Sequence, residues 1–506
     1  MMEDNRLKRI AIVGGGTAGW MTAAALARIL HGSGTEILLV ESAEIPTVGV
    51  GEATIPPIRN FNRLLGIDEA EFIRETRGTY KLGIEFVDWT RLDHRYFHPF
   101  GVYGADVNAR YVHQQWLRLR AKGDQTPIDA YSLCTLAARA HRFAQQGVDP
   151  TQAQSTLTSA YHFDAGLYAR FLRRYAERLG IARIEATVKS VSVHPETGFI
   201  AALDLGDDRK IEADFFIDCT GHFGLLIDRT LGVPFEDWSH WLPCDSAIAA
   251  PTANTDDLVP YTRSTARAAG WQWRIPLQHR VGNGYVFSSQ YADDETARET
   301  FLRGLESEPV SEPRFLRFRT GRRQRFWEKN CVSIGLSSGF LEPLESTSIH
   351  LIQTGITKLL DYFPDRRFAP ADIAEYNKLA AFEFDSIRDF IILHYCATER
   401  DDSPFWNHVR TMDIPESLRA RIALFKSHGR VPLRTFDLFT DTSWVAVFLG
   451  QGIEPEGFEP LVANMPLGAV AAAMAQHRQR IESAVEALPR HMDYVASLVG
   501  AGVVST

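Results

Sequence analysis

The feature that most narrows what this chain can fold into lies in its first 41 residues. A β-branched run, Arg9–Val13 (RIAIV), stops at Gly14-Gly15-Gly16, and Ala18–Leu30 then carries Ala and Leu at helical spacing. A second apolar run, Glu36–Val40 (EILLV), ends at Glu41. Strand, glycine turn, helix, strand and acid in this order make a βαβ mononucleotide unit. The G-x-G-x-x-G spacing of Gly14, Gly16 and Gly19 permits a tight turn. It also lets the backbone around Thr17 and Ala18 approach a pyrophosphate at the positive end of the helix. Glu41 is placed to accept a hydrogen bond from a ribose 2′-hydroxyl, which disfavours a 2′-phosphate. A dinucleotide site is the expectation.

Further pieces of the same domain are far away in the chain. Asp214–Asp218 (DFFID) reads as a strand running into Cys219-Thr220-Gly221, and Cys331–Ile334 leads through a Gly/Ser turn to a helix at Ile349–Leu360. The sequence therefore predicts an α/β fold whose Rossmann-like nucleotide-binding domain is discontinuous, from residues 1–90, 160–240 and 320–370. Residues 91–159, 241–319 and 371–506 would form an inserted and C-terminal, mostly helical, substrate-binding region. Beyond Phe384 the pattern is helical, its last clear segment being Leu467–Leu488 before Pro489.

Composition excludes several function classes. A formal charge of −9 with no long block of one sign gives no general attraction to nucleic acid or to a membrane surface. No apolar stretch is long enough to span a bilayer. Five scattered cysteines without a C-x-x-C pair argue against a disulfide framework and a zinc site of that type. No metal is expected, and the reading is cytoplasmic.

Two later segments carry the chemistry. Ser333–Leu344 (SIGLSSGFLEPL) sets a Gly/Ser turn before the Ile349 helix; the arrangement resembles that of flavoproteins of this general fold, in which such a helix points its N-terminus at the flavin and stabilises negative charge on the reduced ring or a nearby anion. Ser346, Thr347 and Ser348 are also good helix caps. Trp271-Gln272-Trp273-Arg274-Ile275-Pro276 is W-x-W-x-I-P, whose two tryptophans share one face of an extended segment.

With these motifs, the chain resembles the flavin-dependent tryptophan (indole) halogenases. The resemblance rests on Gly14–Trp20 (GGGTAGW), Val48–Pro56 (VGVGEATIP), Lys81, His98-Pro99-Phe100, the W-x-W-x-I-P segment and Pro343–His350 (PLESTSIH). It implies FAD, used as FADH2, with Ala53, Val188, Leu336 and Ile349 also against the cofactor. It further implies O2, chloride or bromide, a small aromatic substrate, and a separate NAD(P)H flavin reductase. Hypohalous acid made at the flavin would travel through an enclosed route, because the free acid reacts without selectivity. Trp271, Trp273, Ile275 and Pro276 would keep organic substrate away from the flavin.

The resemblance also assigns roles. Lys81 would polarise hypohalous acid as an ammonium or form a haloamine as a neutral amine, the second needing a pKa lowered by burial. Glu345 would stabilise the cationic ring intermediate and accept its proton. Ser346 would orient substrate or Glu345, the backbone N–H groups of Thr347 and Ser348 would hold halide, and His98 and Phe100 would flank the substrate ring. Many members have glycine where this chain has Ser348.

Free-tryptophan halogenases hold the amino-acid part with a C-terminal tyrosine cluster. Between Arg430 and Pro460 this chain has Phe436, Phe439, Trp444 and Phe448 but no tyrosine, which favours indole or a related arene. The rival is an FAD-dependent aromatic hydroxylase, which reduces its own flavin with NAD(P)H. Stopped-flow mixing of the protein with NADH and no reductase should leave the flavin oxidised on the turnover timescale.

Overall fold

The computed structural model describes residues 5–43, 51–104, 111–254 and 258–500, so Val48–Val50 of the Val48–Pro56 motif lie outside the described residues. A six-stranded sheet forms the base. Its order is Trp327–Glu328, Cys331–Ser333, Phe215–Asp218, Arg9–Val13, Glu36–Glu41, Ala182–Glu185, and only the Trp327–Glu328 edge is antiparallel. Strands drawn from residues 9, 36, 182, 215 and 331 thus lie side by side. Helix Thr17–Ile29 is buried continuously from Gly19 to Ala27. Its small residues allow it to lie tightly on the sheet and against helix Ala165–Arg178.

The glycine turn is set by close backbone approach. Gly14 has a φ of +110°, and a Cβ there would fall 2.2 Å from the Cys219 carbonyl oxygen, in the next βα turn. A Cβ on Gly19 would fall 1.8 Å from the carbonyl oxygen of Gly14.

A seven-stranded sheet stands apart from this layer. Its order is Arg314–Arg317, Ser246–Thr252, Val281–Phe287, Gly270–Pro276, Thr262–Arg267, Gly83–Val87, Arg95–Pro99. The W-x-W-x-I-P segment is its central strand, with Trp271 opposite Val286 and Trp273 opposite Gly284. A Cβ on Gly284 would meet the Trp273 ring at 2.0 Å, so the indole lies over that strand.

A three-stranded sheet, Gly51–Ala53, Ala160–Asp164 and Thr79–Lys81, bridges the layers. The Thr79 hydroxyl donates to the Pro276 carbonyl at 2.7 Å, tying the Lys81 strand to the end of the W-x-W-x-I-P strand. The C-terminal part is helical, from the 27-residue helix Pro370–Cys396 through Leu467–Ala487. One more helix, His491–Val499, follows Pro489. Its His491 donates from Nδ1 to the Leu258 carbonyl at 2.6 Å and accepts the Tyr80 N–H on Nε2 at 3.1 Å, next to Lys81. Among the described residues no helix is long and apolar enough to cross a membrane.

Replacing Gly19 with Ala puts a methyl group into the Gly14 carbonyl. Overpacking of this kind should cost at least about 2 kcal/mol, read by thermal unfolding, and should lower the flavin retained on purification, read by absorbance.

Candidate functional site

The glycine turn of the first βαβ unit opens onto free space. A Cβ on Gly16 would meet nothing within 4 Å, so the backbone opening the Thr17 helix faces free space. No side chain caps that helix, which leaves its first N–H groups available to a pyrophosphate. Gly335 packs on Ala18, a Cβ there falling 2.7 Å from the Ala18 Cβ, and so sets Leu336 beside the same turn. Ile349 is buried in the first turn of helix Ser348–Asp361, Ala53 is buried in the bridging sheet, and Val188 is half-buried after the Ala182–Glu185 strand. Glu41 ends its strand as expected. Its carboxylate accepts from Trp20 Nε1 at 3.3 Å and from Arg183, keeping lone pairs for a ribose hydroxyl.

A second cluster lies where the bridging sheet, the seven-stranded sheet and the Pro343–Ser348 segment meet. Lys81 is fully buried and its Nζ donates to Ser346 Oγ at 2.8 Å. The Phe100 N–H donates to the Leu82 carbonyl, which holds the ring with its centroid 5.0 Å from that Nζ. Burial pulls the ammonium down to about 7, against the opposing charge of Glu345. Ser346 takes a φ of +60°, a left-handed conformation that a non-glycine residue adopts only when its surroundings hold it. The Lys81 hydrogen bond is one such restraint. The hydroxyl expected to orient Glu345 or substrate is therefore the acceptor for Lys81.

Glu345 has no exposed surface. His98 Nδ1 lies 3.0 and 3.1 Å from its two carboxylate oxygens, and His394 Nε2 lies 2.9 Å from Oε1. Burial alone would raise this carboxyl, but the neighbouring His98 and His394 pull it down to about 2. His98 Nε2 is buried without a protein partner. Around it stand Phe390 at 5.7 Å and Phe439 at 6.3 Å between ring centroids; these two stack at 3.8 Å, with Trp444 4.8 Å from Phe390. Of the four aromatics noted in the C-terminal stretch, Phe439 and Trp444 reach this wall. Phe436 is exposed and Phe448 stacks on Phe425.

No side chain caps the next helix, contrary to expectation. Thr347 is the N-cap of Ser348–Asp361, but its φ of −90° and ψ of −10° are helical rather than extended, and its hydroxyl is buried without a partner. The first-turn N–H groups, including that of Ser348, thus lack a side-chain cap.

Several residues of this region were invisible to pattern reading. Phe390 and His394 sit in a long helix with no motif to mark them. Glu342 is also missing from the sequence reading, although it lies in the quoted Ser333–Leu344 segment. Fully buried, it accepts from Trp271 Nε1 at 3.1 Å and from the Tyr395 hydroxyl at 2.7 Å, which fixes the first indole of W-x-W-x-I-P. The two indoles do share a face, their centroids 6.1 Å apart. Trp271 and Trp273 are buried, as are Ile275 and Pro276. Among the described residues no group of three or more His, Cys, Asp or Glu is gathered as a metal site.

Residues 9–467 match the tryptophan halogenase family. The chain belongs to that family. BrvH, a flavin-dependent halogenase from Brevundimonas sp. BAL3, superimposes with a TM-score of 0.94 at 46% identity, covering 98% of this chain and 100% of its own. A flavin-dependent halogenase from Xanthomonas campestris gives 0.94 at 48%, covering 97% and 98%. The tryptophan 6-halogenase SttH from Streptomyces toxytricini is 35% identical over 98% of this chain and 99% of its own. The protein is a flavin-dependent halogenase, and the hydroxylase alternative falls.

Glu342 sets a pH test for the halogenase fold. Burial pushes its carboxyl up to about 7, so the folded chain keeps a proton that the unfolded chain releases in the ordinary carboxylate range. Stability conferred by this group is present at low pH and is lost as pH rises toward 7. The loss approaches about 3 kcal/mol. Thermal unfolding of Glu342→Gln between pH 5 and 8 should lack this component of the native slope.

Proposed function

We propose that this halogenase chlorinates or brominates a neutral, indole-like arene, with Lys81 delivering the halogen and Glu345 removing the proton. The observation that carries the reading is the buried pair of groups: an amine on Ser346 and a carboxylate on His98, both without exposed surface. An oxidised halogen is useful only where water and bystander side chains cannot reach it first.

Reduced FAD, when bound, supplies with O2 the oxidising power that turns halide into hypohalous acid. The chain's own residues do the rest. Segments 1–90, 160–240 and 320–370 would hold the cofactor through Gly14, Gly16, Thr17, Ala18, Gly19, Glu41, Ala53, Val188, Leu336 and Ile349. The N–H groups of Thr347 and Ser348, at an uncapped helix start, suit a halide ion. Trp271 and Trp273, with Ile275 and Pro276, wall off the organic substrate from the flavin. Lys81 is pulled to about 7, so its neutral and charged forms are both populated near neutrality. It can hydrogen-bond hypohalous acid or carry the halogen on nitrogen. Glu345 faces the cationic ring, stabilises it, and takes the proton whose departure restores aromaticity.

The aromatic wall suits an uncharged substrate. Behind Trp444, Arg421 stacks at 4.5 Å and is itself paired with Asp437 at 2.6 Å, both side chains nearly inaccessible. These charges neutralise each other, so this pair offers no free charge to an amino-acid zwitterion. His98 and Phe100, with Phe390 and Phe439, offer faces and edges to an indole ring. FADH2 would come from a separate NAD(P)H flavin reductase. All five cysteines are free, which fits a cytoplasmic enzyme.

Lys81→Met keeps the apolar stem and removes the amine. Halogenated indole, measured by mass spectrometry with reductase, halide and O2, should fall at least roughly 100-fold. Flavin reoxidation, followed by absorbance, should keep its native rate. Halogenation at the native rate would refute the role given to Lys81.

A further inference from the structure

His394 lies in the last turn of the Pro370–Cys396 helix, fully buried among the rings of Phe86, Trp89 and Phe390, at 4.9, 6.1 and 5.2 Å between centroids. Its Nδ1 is 2.8 Å from the Phe390 carbonyl oxygen. A carbonyl only accepts, so that nitrogen carries a hydrogen. Its Nε2 is then 2.9 Å from Glu345 Oε1, and off the line of a directional hydrogen bond. A bare Nε2 would set its lone pair against a carboxylate oxygen in a site that excludes water, where that repulsion is strong. A protonated Nε2 turns the same contact into an ion pair.

The alternative, a proton on Glu345, fits its surroundings less well. His98 Nδ1 reaches both carboxylate oxygens, and Lys81 adds positive charge nearby. We infer that His394 is an imidazolium, a positioning residue whose charge keeps Glu345 ionised and in place for the reaction. The inference rests on the role proposed for Glu345.

Ionisation decides what Glu345 can do. In the cationic ring intermediate a C–H bond breaks, its electron pair returns to the ring, and the proton bonds to a carboxylate oxygen. A neutral carboxylic acid neither stabilises that cation well nor accepts the proton. His394 is unchanged by the step. The charged and titratable groups facing Glu345 are His98 and Tyr96 from the Arg95–Pro99 strand, Lys81 from the bridging sheet, and His394. Glu342 lies on the same segment and is bonded to Tyr395, the next residue after His394.

The test uses the flavin-loaded enzyme. His394→Gln keeps a neutral donor of similar reach and loses the charge. In single-turnover halogenation of indole, the acid limb of the rate profile should move up by roughly one pH unit, with flavin reoxidation unchanged. A native profile in His394→Gln overturns the inference. In the native enzyme, 15N-histidine NMR should show both ring nitrogens of one histidine protonated at pH 7, the signal being assigned by its loss in His394→Gln. An unprotonated Nε2 overturns the inference as well. Glu345→Gln separates the two failures: if it halogenates at the native rate, the role of Glu345 falls, while the NMR still reports the charge on His394.

Discussion

A buried amine and a buried carboxylate impose the conditions that organise this molecule. Neither Lys81 nor Glu345 has exposed surface, and an ionised group taken out of water without partners is very unfavourable. Each is therefore matched to specific neighbours. Lys81 finds Ser346, and Glu345 finds His98 and His394. The two groups and their three partners come from four different parts of the chain, so satisfying two charges draws together the bridging sheet, the edge of the seven-stranded sheet, the Pro343–Ser348 turn and the long C-terminal helix. Breaking one partner would leave a buried charge unmatched.

The same short turn is stapled to the long helix at two adjacent residues. Tyr395 donates to Glu342 and His394 contacts Glu345, while Trp271 reaches Glu342 from the seven-stranded sheet. The indole that would shield the flavin and the carboxylate that would act on substrate thus hang from one segment three residues apart. A further restraint comes from the far end of the chain. His491 accepts the Tyr80 N–H and so holds the backbone next to Lys81. The proposed division between a flavin end and a substrate end would follow from this: glycines and an uncapped helix on one side, aromatic rings and paired charges on the other.

Local pattern carried much of this. The first strand, helix and strand fall within a residue or so of their expected limits, since periodicity and glycine placement act over short range. The extended W-x-W-x-I-P segment and the shared face of its indoles were readable for the same reason. Lys81, His98, Phe100, Glu345 and Ser346 were singled out by resemblance, and the fold brings them into one cluster. The hydroxyl of Thr347 was misjudged as a cap because a side chain's identity does not reveal the backbone angle that capping requires. His394 and Phe390 had no signal at all: in a helix buried on most sides, a histidine reads like any other interior residue.

By itself, then, the order of residues determined the dinucleotide-binding unit, the α/β class, and the residue types available for halogen chemistry, because strand, turn and helix preferences depend on neighbours a few positions away. Only the tertiary structure decided which charge meets which partner. Those pairings join positions such as 81 and 346, 98 and 345, or 345 and 394, across folded layers, and no local spacing encodes a contact formed by the burial of whole elements against one another.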